Sequence, residues 1–585
     1  MSFIAGIVSK KNNLSQTICE KFTKTIKLIP FNHKMTINTM TATSCILFQA
    51  GYSGLWRGPK FIQIDDKRLF ASTGTEKPGS NMNCSQNTIE LLFEWLTSNR
   101  SSAVISDSML HFSAACMFPE EKRLLLANDP LGTATLSYYV NDEYIIFSSR
   151  PSLLYRFCNS LTVNFEAVFE FFLLGHFLGN KTFFKEVSLL PPGGLLEYVN
   201  GTLKVKRYTK FELVSIDPKM GLEESTDRIV ELLNSIISPE ASYKTKVNCF
   251  LSGGWDSRLL AGLLAKKNQV DCTWTTELLG RYSESRIAYT VADHLGINNQ
   301  FIPPTFLNLI SYFHKHRKLV DYSSDTGPWI MSLLEKIPDG HVYVDGFLVD
   351  VLLRPDKHVS PFLLECVNTG NIEGAKEYFL NMYLEAGGPF PSVKAGGRPW
   401  QKLLKRDFYE EQAEKLKNNI NEEFGDAERG QDFVTSFVMK NRQRRCITAL
   451  PMLLIGNKGP ILLPFCDLEL VRLCLNIPLE HKISGRLQFF ILEKIKNGLG
   501  RLISTNSEKS LLHPYLRKRI TYDFTRRFLS WGWLYEKAVT QLDKQILEFL
   551  YGGENEAKLR LLRFPYQLTR LLFVQEALAL NNSKE

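Results

Sequence analysis

The chain has 585 residues and a formal net charge of +9 at pH 7, with 44% hydrophobic and 22% charged residues. These values are close to those of an ordinary globular protein, and the length predicts two to four domains. The charge is mild and spread along the chain, unlike that of nucleic-acid binders. No apolar stretch reaches the ~18 residues that a membrane span needs.

Residues 1 to about 210 favour β-strands, because short apolar runs alternate with turns such as Asn128–Pro130 and Pro191–Gly194. Phe165–Leu178 has the spacing of a helix. The predicted strands are Phe3–Val8, Cys45–Phe48, Arg123–Leu126 and Tyr144–Phe147.

From about residue 218, helices and strands alternate, which implies a parallel sheet with helices on both faces. Beyond about residue 360 the chain favours helices. We therefore predict two domains, residues 1–210 and residues 218–585. The predicted elements of the sheet are the helices Leu222–Ile237, Ser257–Lys267 and Glu284–Leu295 and the strands Val247–Leu251, Val270–Thr275 and Gln300–Ile302.

The eleven cysteines form no CxxC pair, and most lie in apolar runs, as Cys249 and Cys474 do. This pattern favours buried thiols in a reducing cytoplasm over disulfides or a zinc site. The densest basic run is Arg442–Arg445. We interpret it as a solvated helix face, and a site for phosphate or an acidic peptide is the alternative.

A glycine turn follows the apolar run Val247–Leu251. Its two glycines allow a sharp turn whose N–H groups face an anion, and the next helix points its positive end at the same place. A carboxylate there, Asp256, needs a cation such as Mg²⁺ between itself and the phosphates. The alternative is a plain glycine turn with Asp256 as a helix cap. The predicted ATP and pyrophosphate site comprises Leu251, Ser252, Gly253, Gly254, Asp256 and Ser257.

The segment Ser252–Ser257 resembles the pyrophosphate loop of the N-type ATP pyrophosphatases. By pattern it is most similar to the asparagine synthetases and their offshoots, the β-lactam synthetases and lasso-peptide cyclases. Trp255 and Arg258 depart from the commonest asparagine synthetase pattern, and a Trp here is similar to some lasso-peptide cyclases. The resemblance implies an α/β domain with a parallel sheet like that of the adenine-nucleotide α-hydrolases and a helical C-terminal extension.

Further positions are carried over from this resemblance. Glu284 begins a helix and could serve the metal or the activated carboxylate, or be only an N-terminal helix charge. Gly346 and Asp350 match a glycine turn with an aspartate four residues later, so Gly346 would belong to the ATP and pyrophosphate site. Asp350 would then be a second Mg²⁺ ligand opposite Asp256, with Asp345 a weaker candidate. Phe347 stands where β-lactam synthetases carry a tyrosine, which argues against their usual chemistry.

Two late segments continue the resemblance. Pro464–Asp467 is similar to the family's Pro-Phe-Leu-Asp segment, and we interpret Asp467 as a structural helix cap. Lys509 resembles a lysine that stabilises negative charge at the acyl centre of β-lactam synthetases, which makes it a candidate catalytic residue. The alternative is an exposed surface lysine.

The N-terminal residues Met1–Ile7 resemble the start of class II glutamine amidotransferases. The resemblance implies an α+β domain, an Ntn-like β-sandwich flanked by helices. Glutamine hydrolysis there uses an N-terminal cysteine, whereas this chain has Ser2 and no Asn-Gly-Glu segment to bind glutamine. We therefore expect a scaffold domain without glutaminase activity, so that the attacking amine comes from solution or from the substrate itself.

The first hypothesis is an ATP-dependent, Mg²⁺-dependent lasso-peptide cyclase. It would adenylate an Asp or Glu side chain of a precursor peptide and join it to the freed N-terminal amine, releasing AMP and pyrophosphate. The expected partners are the precursor, a leader-peptide recognition protein and a leader peptidase. One alternative is an ammonia-dependent asparagine synthetase or a β-lactam synthetase-like ligase. Another is a non-catalytic scaffold.

Overall fold

The computed structural model describes most of the chain, and every structural statement below refers to that part. The described residues are 3–11, 13–52, 61–65, 68–76, 88–98, 109–209, 214–237, 247–276, 283–303, 309–355, 359–386, 406–425, 427–505, 547, 550 and 565–582.

The N-terminal half contains two six-stranded sheets with antiparallel pairing. One has the order β10-β8-β9-β1-β3-β2, and the other has the order β12-β11-β7-β6-β5-β4. The strands are Phe3–Ser9 (β1), Thr36–Ala42 (β2), Cys45–Gly51 (β3), Phe61–Asp65 (β4), Arg68–Glu76 (β5), Met109–Phe118 (β6), Arg123–Asn128 (β7), Ser137–Val140 (β8), Tyr144–Ser148 (β9), Ser188–Leu189 (β10), Gly194–Val199 (β11) and Thr202–Arg207 (β12).

The two sheets pack face to face as a sandwich. Ile4 and Leu47 from the first sheet share one apolar cluster with Met117 and Leu126 from the second. Every residue of β1 is buried, so the apolar start of the chain is a central strand, as predicted. The helices of this half are Gln16–Lys27, Thr88–Ser98, Pro151–Phe157 and Phe165–Leu174.

The C-terminal half contains a five-stranded parallel sheet, as the alternating pattern predicts. Its order is β15-β14-β13-β16-β17. Its strands are Val247–Phe250 (β13), Val270–Thr275 (β14), Asn299–Phe301 (β15), Tyr343–Val344 (β16) and Ile461–Leu462 (β17). The order places β13 in the centre of the sheet, with the turn that follows it at the carboxyl end, where open α/β sheets bind ligands.

Helices form most of the rest of this half. The α-helices are Leu222–Ile236, Trp255–Lys266, Ser283–Leu295, Leu309–Leu319, Met331–Leu334, Val349–Leu353, Pro361–Thr369, Ile372–Ala386, Arg406–Phe424, Phe433–Val438, Leu468–Asn476, Leu479–Lys482, Arg486–Ile495 and Pro565–Asn582, and the π-helical segments are Met439–Ile447 and Leu450–Leu454. Asp467 caps its helix by accepting a hydrogen bond from the Leu470 N–H at 3.0 Å, so its structural interpretation is confirmed.

The interpretation of the basic run as a solvated helix face is wrong for Arg444 and Arg445, which are both buried. Arg444 donates to the Leu190 carbonyl at 2.9 Å, and Arg445 donates to the Lys181 carbonyl at 2.8 Å and stacks on Phe177. Guanidinium groups with several fixed donors suit such carbonyl-rich surfaces. The run therefore joins the C-terminal half to loops of the N-terminal half.

The helix Pro565–Asn582 returns to the N-terminal half. Its Arg570 pairs with Asp325 at 2.7 Å and donates to the carbonyls of Phe172 and Leu173. Its Asn581 donates to carbonyls at the end of the helix Pro151–Phe157. The last described helix therefore fastens both halves together, while the predicted boundaries, 1–210 and 218–585, remain a prediction.

Among the helices that the structure describes, none is long and apolar enough to cross a membrane. The described cysteines are all free thiols, and all but Cys19 are buried, as their apolar surroundings predict.

Candidate functional site

The glycine turn connects the central strand β13 to the helix Trp255–Lys266. Gly254 is the N-cap of this helix, and no side chain caps it. The first N–H groups of an uncapped helix lack intrahelical partners and favour an anion. Asp256 lies within the first turn and is therefore not the cap that the alternative interpretation required.

The two serines of the turn are held by one another. The Oγ atoms of Ser252 and Ser257 lie 3.0 Å apart, and either can donate. The Ser252 N–H donates to Ser257 Oγ at 2.9 Å, and the Gly254 N–H donates to Ser252 Oγ at 3.1 Å. Since two hydroxyl groups carry two protons and their mutual bond uses one, the other proton can be donated to a phosphate oxygen.

Gly253 is where two other segments meet the turn. A Cβ at this position would lie 2.5 Å from Thr505 Cγ2 and 3.5 Å from the Cα of Glu284. The first contact is shorter than atoms tolerate, so a larger residue here would have to displace the Thr505 side chain. The Thr505 N–H also donates to the Gly253 carbonyl at 3.0 Å. Glu284, predicted from sequence, thus begins its helix directly against the turn.

Gly346 also lies close to the residues of the turn. It follows β16, and a Cβ there would lie 3.8 Å from the carbonyl carbon of Asp256. The next residues, Phe347 and Leu348, are buried, and Leu348 adopts a left-handed φ of 73° at the N-cap of the helix Val349–Leu353. Such a φ strains a non-glycine residue and fixes the start of the helix whose first turn carries Asp350.

A small cavity of about 20 Å³ lies behind this second turn, between the two halves of the chain. Its walls include Pro130, Leu131 and Pro192 from the N-terminal half and Phe347 and Leu348 from the C-terminal half. Phe347 therefore contributes to the wall of an interdomain cavity. The side chain supplies apolar surface there and no ionisable group.

Two titratable groups near the second turn have shifted pKa values. Burial raises the pKa of Asp345 to about 6, against the effect of a hydrogen bond from the Phe347 N–H. Burial lowers the pKa of Arg442, and the charges of Cys446 and Asp350 oppose that effect. Arg442 is thus close enough to sense the Asp350 carboxylate, which ties that carboxylate to the basic run.

Arg258 lies beneath the turn and is fully buried. Its guanidinium donates to the carbonyls of Leu499, Leu502 and Ile503 at 3.1, 3.0 and 2.7 Å and approaches the Gly253 carbonyl at 3.5 Å. Burial lowers its pKa to about 10. Arg258 therefore clamps the segment 499–503 to the turn.

Two domain families match the chain. Residues 100–209 match the glutamine amidotransferase domain, and residues 229–332 match asparagine synthase. A protein of Methanocaldococcus jannaschii, provisionally named glutamine-hydrolysing asparagine synthetase 2, is 25% identical over 187 residues. The chain thus contains one segment similar to glutamine amidotransferase domains and one similar to asparagine synthase. The aligned region covers 31% of this chain and 36% of that relative, about a third of its length.

Two solved structures are also similar to the chain. Glutamine phosphoribosylpyrophosphate amidotransferase from B. subtilis, complexed with ADP and GMP, is 13% identical, with a TM-score of 0.24 over 62% of this chain and 79% of that chain. An allosteric regulatory enzyme of purine biosynthesis is 11% identical, with a TM-score of 0.23 over 59% and 74%. These TM-scores are too low to add to the fold described above.

The carboxylates of Asp256 and Asp350 fit a magnesium ion shared with phosphates. No three acidic, histidine or cysteine side chains of the described chain form a metal-binding group, so a site built by protein alone is absent there. Mg²⁺ is usually held by one or two carboxylates together with substrate phosphates. Beside Asp256 lies the fully buried Gln488. Its amide oxygen has no partner among the described residues and fits a water bound to such an ion.

Sequence reasoning missed Gln488 and gave Arg258 no role. The buried face of the helix Arg486–Ile495 includes Leu487, Gln488, Ile491 and Ile495. A polar glutamine among these apolar residues was the sequence feature that could have pointed to Gln488. Two predicted residues, Lys509 and Ser2, lie outside the described part of the chain. Thr505 at the turn is four residues before Lys509, and the role of Lys509 stays a prediction.

Proposed function

We propose that this chain is an AMP-forming carbon–nitrogen ligase and, more specifically, a lasso-peptide cyclase. A side-chain carboxylate of a precursor peptide attacks the α-phosphate of ATP, forming an acyl-adenylate and releasing pyrophosphate. The peptide's N-terminal amine then attacks the acyl carbon, AMP leaves with the bonding electrons, and the amine loses a proton. The product is lighter than the linear peptide by one water.

One observation carries the ligase proposal. Segments from four separate parts of the chain meet at the uncapped N-terminus of the helix Trp255–Lys266: the turn itself, Glu284, Gly346 and Thr505. This arrangement gives the polyphosphate N–H donors, a serine hydroxyl and the helix dipole. Asp256 and Asp350 would hold Mg²⁺, which supplies charge neutralisation as pyrophosphate leaves.

The substrate's own amine is the proposed nucleophile. Ser2 replaces the cysteine of class II amidotransferases, and the sequence lacks an Asn-Gly-Glu segment. A tethered amine reacts at a high effective concentration, so positioning can supply much of the rate in the second step. The proposed partners are the precursor, a leader-recognition protein and a leader peptidase. The cytoplasm, which keeps buried thiols reduced, is the proposed compartment.

A second candidate is an ammonia-dependent asparagine synthetase. The specific observation in its favour is that the M. jannaschii relative is named an asparagine synthetase. That name specifies glutamine hydrolysis, whereas this chain has Ser2 in place of the cysteine, so ammonia would come from solution. Free aspartate would then be the carboxylate and ammonia the amine.

The test is a comparison of substrates with the purified chain and Mg²⁺-ATP. Pyrophosphate and AMP are measured with the short precursor peptide encoded nearest this gene, supplied with its leader-recognition protein and peptidase. A parallel reaction contains free aspartate and ammonia. A peptide lighter by one water supports the cyclase. AMP formation that requires aspartate and ammonia supports the second candidate and rules out the first.

Two variants test the site itself. We expect Asp256→Asn and Asp350→Asn each to abolish pyrophosphate release while preserving the melting temperature to within a few degrees. Asp271→Asn is the matched control, because Asp271 lies on the neighbouring strand β14 with 48% of its side chain exposed. Full activity in both site variants would favour a non-catalytic scaffold.

A further inference from the structure

Gln488 approaches the glycine turn from a different helix. Its Nε2 donates to Oδ1 of Asp256 at 2.8 Å, across a sequence separation of 232 residues. The helix Arg486–Ile495 also packs along the helix Trp255–Lys266, so the bond joins two elements already in contact. Gln488 has no exposed surface.

The other end of the same amide is not satisfied. Among the described residues, no donor reaches the buried Oε1 of Gln488. A buried carbonyl oxygen without a partner destabilises the fold, and an apolar side chain of the same size would avoid this cost. Because Nε2 and Oε1 belong to one amide group, the unpartnered oxygen lies beside the Asp256 carboxylate.

Other buried glutamines share the unpartnered oxygen, and Gln412 on the helix Arg406–Phe424 is one of them. What distinguishes Gln488 is its partner. A neutral amide that donates to Asp256 fixes the orientation of the carboxylate and adds no charge. A lysine or arginine in its place would add a positive charge.

We propose that Gln488 is a positioning residue of the magnesium–nucleotide site: its Nε2 orients Asp256 and its Oε1 accepts a hydrogen bond from a water of the bound cation. The inference rests on the proposed function, since it presupposes Mg²⁺-ATP at the turn. Outer partners of metal ligands orient those ligands, and their loss typically lowers metal affinity 10–100-fold. Mg²⁺ keeps several waters, which gives such an oxygen a donor.

The test measures binding in the full chain without turnover. A nucleotide with a methylene bridge between its α- and β-phosphates is titrated into the protein by calorimetry at a series of Mg²⁺ concentrations. We expect Gln488→Met, which keeps the volume and removes both polar atoms, to raise the Mg²⁺ concentration for half-maximal nucleotide binding at least about tenfold. Gln412→Met is the matched control and should bind as the unaltered chain does.

Gln488→Glu provides a second, independent readout. The added carboxylate removes the donor to Asp256 but places a second negative charge beside it. A higher Mg²⁺ midpoint for Gln488→Met than for Gln488→Glu supports the cation role. If Gln488 were merely structural, the two midpoints would be equal or in the reverse order. Should Gln488→Met fail to fold, a Gln488→Glu midpoint equal to that of Gln412→Met overturns the proposal.

The remaining outcomes are also decisive. Equal Mg²⁺ midpoints for Gln488→Met and Gln412→Met overturn the role of Gln488 and leave the proposed function standing. An unaltered chain that binds no nucleotide at any Mg²⁺ concentration overturns the proposed function and this inference with it.

Discussion

Asp345 directly follows the short strand Tyr343–Val344. Its carboxyl has a structural role, unlike the carboxylates of Asp256 and Asp350, which are proposed to hold the metal. Its N–H donates to the Leu462 carbonyl of the adjacent strand, and its carboxyl accepts from the Phe347 N–H. Both bonds hold the second turn in place. We therefore assign Asp345 to the architecture of the turn and leave the metal to Asp256 and Asp350.

The raised pKa of Asp345 predicts a pH dependence of stability. The pKa of Asp345 is about 6 in the folded chain, against an ordinary value of 3.8. The stability contributed by its protonated carboxyl is therefore complete below pH 3.8 and is lost as pH rises through about 6. Asp345→Asn removes this loss. We expect the variant to gain up to about 3 kcal/mol over the unaltered chain near neutral pH and little near pH 4.

Thermal unfolding of the nucleotide-free chain at several pH values measures this difference. The gap in melting temperature between Asp345→Asn and the unaltered chain should widen as pH rises from about 4 to about 7. Asp271→Asn, at its exposed site, should show no such widening. A constant gap would contradict the assignment.

At the scale of single residues, local patterns predicted which residues lie at the turn, and the roles of those residues stay predictions. Ser252, Asp256, Glu284 and Gly346 follow strand ends or begin helices, and the carboxyl ends of parallel strands meet at one sheet edge. Gln488 could not be found in this way, because its partner lies in another helix far along the chain. The Arg444–Arg445 prediction failed because a local run of charge does not reveal which surface will cover it.

At the scale of elements, the helix Trp255–Lys266 and the segment 499–503 are joined by one buried side chain. Arg258 bonds carbonyls of that segment, and the Thr505 N–H bonds the turn. The helix and strand positions around β13 were predictable from periodicity. This joint was not, because backbone carbonyls carry no sequence signature.

We expect Arg258→Met to loosen this joint. Loss of several charge-assisted bonds in a buried site should destabilise the fold by about 3 kcal/mol, and the amide of Thr505 should exchange with solvent faster. Hydrogen exchange by mass spectrometry, read in peptides covering 499–505, measures the effect. The exposed Arg472 supplies the control Arg472→Met. Unchanged exchange in Arg258→Met would mean that other contacts hold the segment.

At the scale of the whole molecule, buried arginines fasten the two halves together. Arg444 and Arg445 reach the loop 179–190 from one side, and Arg570 reaches Phe172 and Leu173 from the last described helix. The class of each half followed from its pattern of strands and helices. The docking of the helix Pro565–Asn582 on the N-terminal half could not be predicted, because the sequence of an amphipathic helix does not specify which surface it packs against.

These contacts predict cooperative unfolding. We expect one calorimetric transition for the unaltered chain, because each half loses buried hydrogen bonds when the other unfolds. The double variant Arg444→Met with Arg445→Met should split it into two, as separate domains with a weakened interface do. Differential scanning calorimetry decides between them, with Arg472→Met as control. A single transition in the double variant would show that other contacts, including Arg570, suffice.

The bonding of Arg258 has an evolutionary consequence. Its acceptors are backbone carbonyls, which every amino acid carries, so residues 499, 502 and 503 are free to drift in identity while the joint persists. In relatives that share the joint, an arginine should recur at this position without any correlated change among its partners. Methods that infer contacts from paired substitutions would therefore overlook one of the closest connections to the nucleotide turn.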